Sequence, residues 1–134
     1  MALARLEIPS QTINRLRSIS LRLPEAREET AWTGVRWRIR MKTFAHVLMI
    51  DAGWPPAYAR AAGTNGPACV LTFRSRLPAV DDQAFRNDPF FKPVWWPDIA
   101  GMFLRDNTDW QDVRALIAAS YRILAPRKLA ELLR

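Results

Sequence analysis

Charged and apolar residues alternate without a break over residues 36–42. A period of two is typical of a β-strand, whose successive side chains point to opposite faces of the sheet. The pattern therefore predicts that Trp37, Ile39 and Met41 face a core, and that cations spaced by about 6.7 Å, two strand rises, line the other face. These cations are Arg36, Arg38, Arg40 and Lys42.

Strands are predicted on both sides of this segment, which we extend to residues 35–42. A first strand at residues 28–32 precedes a turn at Thr33–Gly34, and a third strand at residues 44–50 follows a tight reversal at Lys42–Thr43. Because these connections are short, the three strands are expected to form an antiparallel meander. Strand patterns return at residues 68–74 and at about 100–105.

Helical spacing of apolar residues follows a leader at residues 1–9, which is expected to be loose. Ser10 is predicted to cap a first helix, and Pro24 to end it. A second, short helix is predicted at residues 82–87. Asp81 is its N-cap, because Val80 and Phe85 occupy the positions of a hydrophobic staple around it.

The last part of the chain is predicted to be helical. An apolar stripe indicates a helix over residues 109–124, where Thr108 and Gln111 have capping-box spacing, and Pro126 begins a terminal helix. The resulting order is α-β-β-β-β-α-β-α-α. It predicts a single α+β domain over residues 1–134, an antiparallel sheet with the N- and C-terminal helices packed on one face while the other can face water.

Two loops interrupt this order. Residues 51–67 are rich in Pro, Ala and Gly, and predict a long surface loop with one helical turn at 57–62. Residues 90–97 form an aromatic loop that contains Trp95 and Trp96. These two rings can stack on bases of a single strand, although aromatic residues between prolines more often close the edge of a core.

Composition narrows the class of protein. The chain has 134 residues with 49% hydrophobic content, so extensive disorder is not expected. The net charge is +7, and 17 of the 20 cations are arginine, which suits bidentate recognition of phosphate or carboxylate but also serves solubility. One cysteine permits no internal disulfide and fits a reducing compartment. Since no apolar stretch is long enough for a bilayer, no membrane association and a cytoplasmic location are expected.

Catalytic and metal sites are not predicted. His46 is the only histidine and lies in an apolar strand, which favours a half-buried structural role over general-base catalysis. Cys69 lies among apolar neighbours, where a thiol is inert, although a pair with His46 across neighbouring strands is geometrically possible. Five dispersed glycines form no phosphate loop, and the Cys and His inventory is too small for a typical zinc site. A non-enzymatic protein without a cofactor is expected.

The basic row is the leading candidate for a binding site. Cations along a strand can follow the phosphate backbone of DNA. Four phosphate contacts on a duplex predict a salt slope of about −3.6. The alternative is that the row is the solvated face of a sheet, where like charges discourage edge-to-edge aggregation. Arg74 and Arg76 follow the fourth strand and extend the row if that strand lies nearby; otherwise they are ordinary loop charges.

Two other classes of binding protein stay open. The exposed sheet face or residues 51–67 can dock an acidic protein partner or a second copy of the chain. A small-ligand pocket between the sheet and residues 90–97 is a third hypothesis. Heparin would displace DNA from a surface that follows phosphates but leave an apolar protein interface intact.

Several short patches, in this order and spacing, resemble the MmcQ/YjbR family of small bacterial proteins. They are Leu23-Pro24-Glu25-Ala26 with Glu28-Glu29, Trp32 and Gly34; Lys42 before Phe44-Ala45; and Trp110 with Ser120-Tyr121-Arg122. The resemblance runs from about residue 12 to the C-terminus. It implies a CyaY-like α+β fold and a DNA-binding role, and it implies no catalytic or metal residues.

Overall fold

A computed structural model describes residues 6–75, 85–93 and 97–133 of the protein. Four helices and six strands occur in this part of the chain. In chain order they are α1 Ser10–Ser20, β1 Arg27–Thr30, β2 Val35–Ile39, β3 Lys42–Ile50, α2 Pro56–Ala62, β4 Ala68–Arg74, β5 Phe90–Phe91, β6 Ile99–Leu104, α3 Trp110–Leu124 and α4 Arg127–Ala130.

The six strands form one antiparallel sheet in the order β1-β2-β3-β4-β6-β5. Its first face carries the main core, in which Trp37 and Ile39 pack with Leu16 of α1 and with Ile117 and Tyr121 of α3. All five side chains are fully buried. The predicted α+β class, with helices from both ends of the chain on one face, is confirmed.

The second face of the sheet is partly covered. Helix α2, in the region expected to be a loop with one helical turn, brings Ala59 onto Leu48, Ile50 and Val70 and makes a smaller apolar cluster there. The segment expected to be an aromatic loop begins with a short edge strand, because Phe91 pairs with Gly101 of β6. The rest of the second face carries polar side chains, and the candidate site lies on it.

The hairpin between β2 and β3 turns two residues earlier than predicted. Ile39 pairs with Lys42, so Arg40 and Met41 form the loop, and Arg40 takes a left-handed φ of 56°. Met41 is 78% exposed, and the prediction that it faces the core was wrong. Such loops usually contain Gly or Asn at positive φ. Here Arg and Met continue the charged–apolar alternation, so the sequence has no visible marker of the turn.

A β-bulge follows at Phe44, since Trp37 pairs with Ala45 while Arg38 pairs with Thr43. The hydroxyl of Ser120 on α3 donates to the Phe44 carbonyl at 2.6 Å and accepts from the Arg74 amide at 2.8 Å. Both backbone groups are thereby satisfied at the irregular point of the sheet.

Tyr121, the next residue of α3, also joins this helix to other elements. Its ring packs edge-on against Phe44, and its hydroxyl donates to the Pro24 carbonyl at 2.6 Å.

Both predicted helix caps that can be checked are displaced by one residue. Pro9 is the N-cap of α1 and Ser10 is already helical. Asp109 caps α3 instead of Thr108, accepting from the Gln111 amide at 2.9 Å.

Several predictions lie outside the described residues. They concern residues 1–5 of the leader, Asp81 and most of the helix at 82–87, Trp95 and Trp96, and Arg76.

Candidate nucleic-acid interface

The structure does not form the predicted row of four cations. Arg36 and Arg38 do lie on the second face of the sheet, and both bind one carboxylate, Glu29 of β1. Arg40 lies in the turn and binds Glu25 at 3.1 Å. Lys42 pairs with Ile39, whose side chain enters the main core. Because directly paired residues of antiparallel strands point to the same face, Lys42 starts β3 on the first face, opposite to Arg36 and Arg38. The cations are thus divided between a strand, a turn and the next strand.

Arg38 has a structural role that the sequence did not indicate. Its side chain is only 16% exposed, with Nη1 3.1 Å from Glu29 and Nη2 2.6 Å from the Met41 carbonyl. We infer that Arg38 holds the β2–β3 turn, since its Nη2 already donates to the Met41 carbonyl of that turn. Its role as a phosphate contact stays an untested prediction.

Arg27 of β1 is a further cation near the hairpin, and it was not among the site residues predicted from the sequence. It is exposed, pairs with Arg38 in the β1–β2 register, and approaches the Arg40 carbonyl with Nη2 at 3.4 Å. Only the register of β1 against β2 places it there, so no local signal in the sequence identifies it. We call the following group the basic hairpin: Arg27, Arg36, Arg38, Arg40 and Lys42.

The basic hairpin keeps a positive charge despite its ion pairs. Within the described residues, Arg36 and Arg38 pair with Glu29 and Arg40 pairs with Glu25, so five cations set against two carboxylates leave an excess of three positive charges. Burial raises the pKa of Glu29, but the hydrogen bonds and charges of Arg36 and Arg38 outweigh it and hold that pKa below its ordinary value. Glu29 therefore stays ionised at neutral pH and offsets one of its two arginine neighbours.

Arg74 ends β4, the strand that pairs directly with β3 of the hairpin, so the fourth strand does lie nearby. Its Nη1 is 3.0 Å from Asp98 Oδ2, so it does not simply extend a row of solvated cations. Arg74 and Arg36 instead line the same pocket of about 280 Å³ on the second face. The other predicted extension, Arg76, is not among the described residues.

This pocket, which we call the face pocket, lies between the polar part of the sheet and α2. Trp32 and Tyr58 line one side, while the hydroxyl-bearing residues Thr43 and Thr72 lie on the strands. Trp32 is 67% exposed and makes an edge contact with Trp54 at a centroid distance of 5.6 Å. None of the described residues of 90–97 lines this pocket, and the small-ligand pocket expected beside that segment stays a prediction.

His46 lies in the face pocket and is nearly buried. Its Nε2 donates to the Thr33 carbonyl at 2.7 Å, because a carbonyl oxygen can only accept. Burial lowers the pKa of His46; the bond to Thr33 opposes this shift, and the charge of Arg36 adds to it. A neutral imidazole that holds the β1–β2 turn agrees with the structural role predicted for it.

The predicted possibility of a Cys69–His46 pair is excluded by strand register. Cys69 pairs with Met49 and lies in the main core, whereas His46 pairs with Thr72 on the second face. Burial raises the pKa of the Cys69 thiol to about 12. The thiol is therefore protonated and unreactive at neutral pH.

Acidification below the ordinary histidine pKa of 6.5 is expected to destabilise the protein partly through His46. The pKa of His46 is lowered in the folded state, so the unfolded chain binds more protons between the two pKa values. The contribution is fully present above pH 6.5 and is lost as the pH falls through the folded pKa. NMR titration of this single histidine should give a pKa below 6.5. A matched His46→Gln variant, whose amide still donates, should lose less stability over the same range. A pKa above 6.5 would contradict the assignment.

Within residues 6–75, 85–93 and 97–133, no group of three or more His, Cys, Asp and Glu side chains is close enough together to hold a metal ion. Among these residues there is also no helix with both the length and the apolar character needed to cross a membrane.

Comparison with known proteins supports the fold. No protein-family model and no curated protein matches the chain. The fold is similar to the crystal structure of a protein from Pseudomonas syringae solved by the Northeast Structural Genomics Consortium, with a TM-score of 0.63 and 13% sequence identity. The match covers 87% of this chain and 98% of the other. At this identity the similarity shows a shared α+β fold.

Proposed function

We propose that the protein is a non-enzymatic nucleic-acid-binding protein that holds phosphates with the basic hairpin. The observation that carries the proposal is the excess of three positive charges on one hairpin. We assign the phosphate contacts to its more exposed members, which are Arg27 and Arg36 on the second face, Arg40 in the turn and Lys42 at the start of β3, so the bound backbone would pass around the turn end of the hairpin. Arg38 holds the turn beneath them.

The existing ion pairs do not prevent such binding. Surface salt bridges contribute only about 0–1 kcal/mol, so a phosphate oxygen can replace Glu25 or Glu29 at little cost. The planar guanidinium of arginine binds phosphate through two parallel hydrogen bonds, as it binds a carboxylate. The ion pairs also hold Arg36 and Arg40 in place before the nucleic acid arrives.

The salt dependence of binding measures the number of contacts. Four phosphate contacts predict a slope of log affinity against log salt of about −3.6 on duplex DNA and about −2.8 on single strands. On a duplex this corresponds to a loss of roughly 150-fold between 50 and 200 mM salt.

Neutralising three of the contacts should remove most of this dependence. A variant with Arg27→Gln, Arg36→Gln and Lys42→Gln is expected to keep the fold, because these side chains lie outside both apolar clusters. Its slope on a duplex should fall to about −0.9, the value for one remaining contact. Fluorescence-anisotropy titrations at several salt concentrations measure both slopes.

The matched control removes the same charge from the turn after α1, from α3 and from α4. It carries Arg22→Gln, Arg114→Gln and Lys128→Gln, all at exposed residues. Its slope should equal that of the unmodified protein. Equal losses in the two variants would mean that total charge, and not the basic hairpin, governs binding. Absence of binding by the unmodified protein at low salt would contradict the function itself.

Membership of the MmcQ/YjbR family belongs to the same proposal. It is supported by the patches of sequence resemblance and by the α+β arrangement, and the DNA-binding role of that family agrees with the charge of the basic hairpin.

A further inference from the structure

We propose that the face pocket receives one unstacked base of a single-stranded nucleic acid, which stacks on Trp32. The inference rests on the proposed function, since the phosphates flanking that base would be held by the basic hairpin. It adds a preference for single strands, and it adds a residue, Trp32, outside the set of cations.

Trp32 has the geometry of a stacking platform. The Trp32 ring is 67% exposed, so its burial contributes little to stability. Its indole is nevertheless held in place by the edge contact with Trp54 and by Tyr58, whose ring centroid lies 6.5 Å away. The turn that carries it is fixed as well, because His46 donates to Thr33 at 2.7 Å. An exposed aromatic ring with a fixed orientation loses little entropy when a base stacks on it.

Charge and aromatic surface meet at the same place. Arg36 belongs to the basic hairpin and also lines the face pocket, so a backbone held at the hairpin passes beside the pocket. Alternation of aromatic surface and cations along one groove is the arrangement by which single strands are bound without base pairing. A ligand without phosphate would contact the aromatic part of this surface but would leave its cations without an anionic partner.

The size and lining of the pocket suit one base. Its volume of about 280 Å³ lies just below the range of roughly 300–1,000 Å³ for drug-sized ligands. Thr43 and Thr72 offer hydroxyl groups, which both donate and accept hydrogen bonds, and Arg36 and Arg74 bring guanidinium groups. Hydroxyl groups can pair with the edges of different bases, so weak sequence preference is expected. Bases within a duplex are already stacked and cannot enter.

Trp32→Ala is the test, with oligothymidylate, oligouridylate and a DNA duplex as probes at one low salt concentration. We expect the affinity for both single strands to fall by about tenfold or more, because loss of one base–aromatic stack is sufficient for that change. Affinity for the duplex should stay within about twofold, because the cations that hold phosphates are intact. A similar loss on DNA and RNA strands would identify the base, and not the sugar, as the ligand.

Two matched variants separate stacking from folding. Trp32→Phe keeps an aromatic face and should recover most of the lost single-strand affinity. Trp110→Phe removes a tryptophan that packs against the main core on the helical side, and should leave all three affinities unchanged. Quenching of tryptophan fluorescence by oligothymidylate should be reduced in Trp32→Phe and retained in Trp110→Phe.

The outcomes distinguish the two proposals. Unchanged single-strand affinity in Trp32→Ala, or an equal loss on strands and duplex, would overturn base insertion while leaving phosphate binding by the hairpin in place. Binding of none of the three probes by the unmodified protein would instead refute the proposed function, and base insertion with it. Thermal unfolding of each variant identifies any loss that arises from the fold.

Discussion

Replacing Gly34 with alanine is expected to destabilise the protein by about 3–5 kcal/mol, because two separate costs act on the new side chain. Gly34 has a φ of +75°, a conformation that costs a residue with a Cβ about 1–2 kcal/mol. The added Cβ would also lie 1.9 Å from the carbonyl oxygen of Val47 and 3.0 Å from the Cα of Leu48. Both atoms belong to the backbone of a central strand, which cannot move aside without disturbing its neighbours.

Gly63→Ala is the matched control for this substitution. Gly63 has a similar φ of +70°, but apart from its neighbours in the chain no heavy atom of the described residues lies within 4 Å of its added Cβ. It should therefore cost only the conformational part, about 1–2 kcal/mol. Urea unfolding of both variants measures the difference, which isolates the collision with β3. Equal losses of stability in the two variants would show that the backbone of β3 shifts to accommodate the added Cβ. Since Gly34 lies two residues after Trp32, Gly34→Ala should also weaken single-strand binding.

Ser120→Ala is expected to cost about 2–4 kcal/mol, an effect far larger than one hydrogen bond between exposed groups would have. The single hydroxyl satisfies the Phe44 carbonyl at the bulge and the Arg74 amide at the end of β4. Removing it takes away both of these hydrogen bonds beside a fully buried side chain, and the loss of a hydrogen bond at a buried group costs about 1–3 kcal/mol. Thermal or urea unfolding of the variant measures the loss.

A second buried serine provides the control. Ser20 of α1 is also fully buried, but its hydroxyl has no hydrogen-bond partner within the described part of the chain. Ser20→Ala should therefore be neutral or slightly stabilising, since it removes a polar atom that is buried without compensation. A similar loss of stability in both variants would mean that the cost comes from the lost volume of the side chain and not from the bonds at the bulge.

Periodicity in the sequence predicted most of the architecture. The strand predicted at residues 68–74 has these limits in the structure, and the helix predicted at 109–124 begins one residue later. Such elements can be predicted from the sequence because a run of alternating or helically spaced apolar residues can bury its apolar side in only one conformation. The α+β class and the placement of both terminal helices on one face follow from the same burial.

The candidate site was predicted less well, since contacts distant in sequence decide it. Alternation over residues 36–42 could not reveal that Arg40 and Met41 form a turn, because a charged–apolar pattern continues unchanged through it. Nor could it show that Glu29 binds two of the arginines, or that Arg27 joins them from β1. Strand register determines all three facts, and register is a property of the assembled sheet.

The sequence by itself therefore determined which segments are extended, which are helical and that the protein carries a large excess of arginine. The tertiary structure alone decided which cations are exposed, which are held by carboxylates, and that Trp32 and Arg36 line one pocket. The physical reason is that hydrophobic periodicity is encoded in neighbouring residues, whereas a binding surface is made of side chains that meet only after the strands have paired.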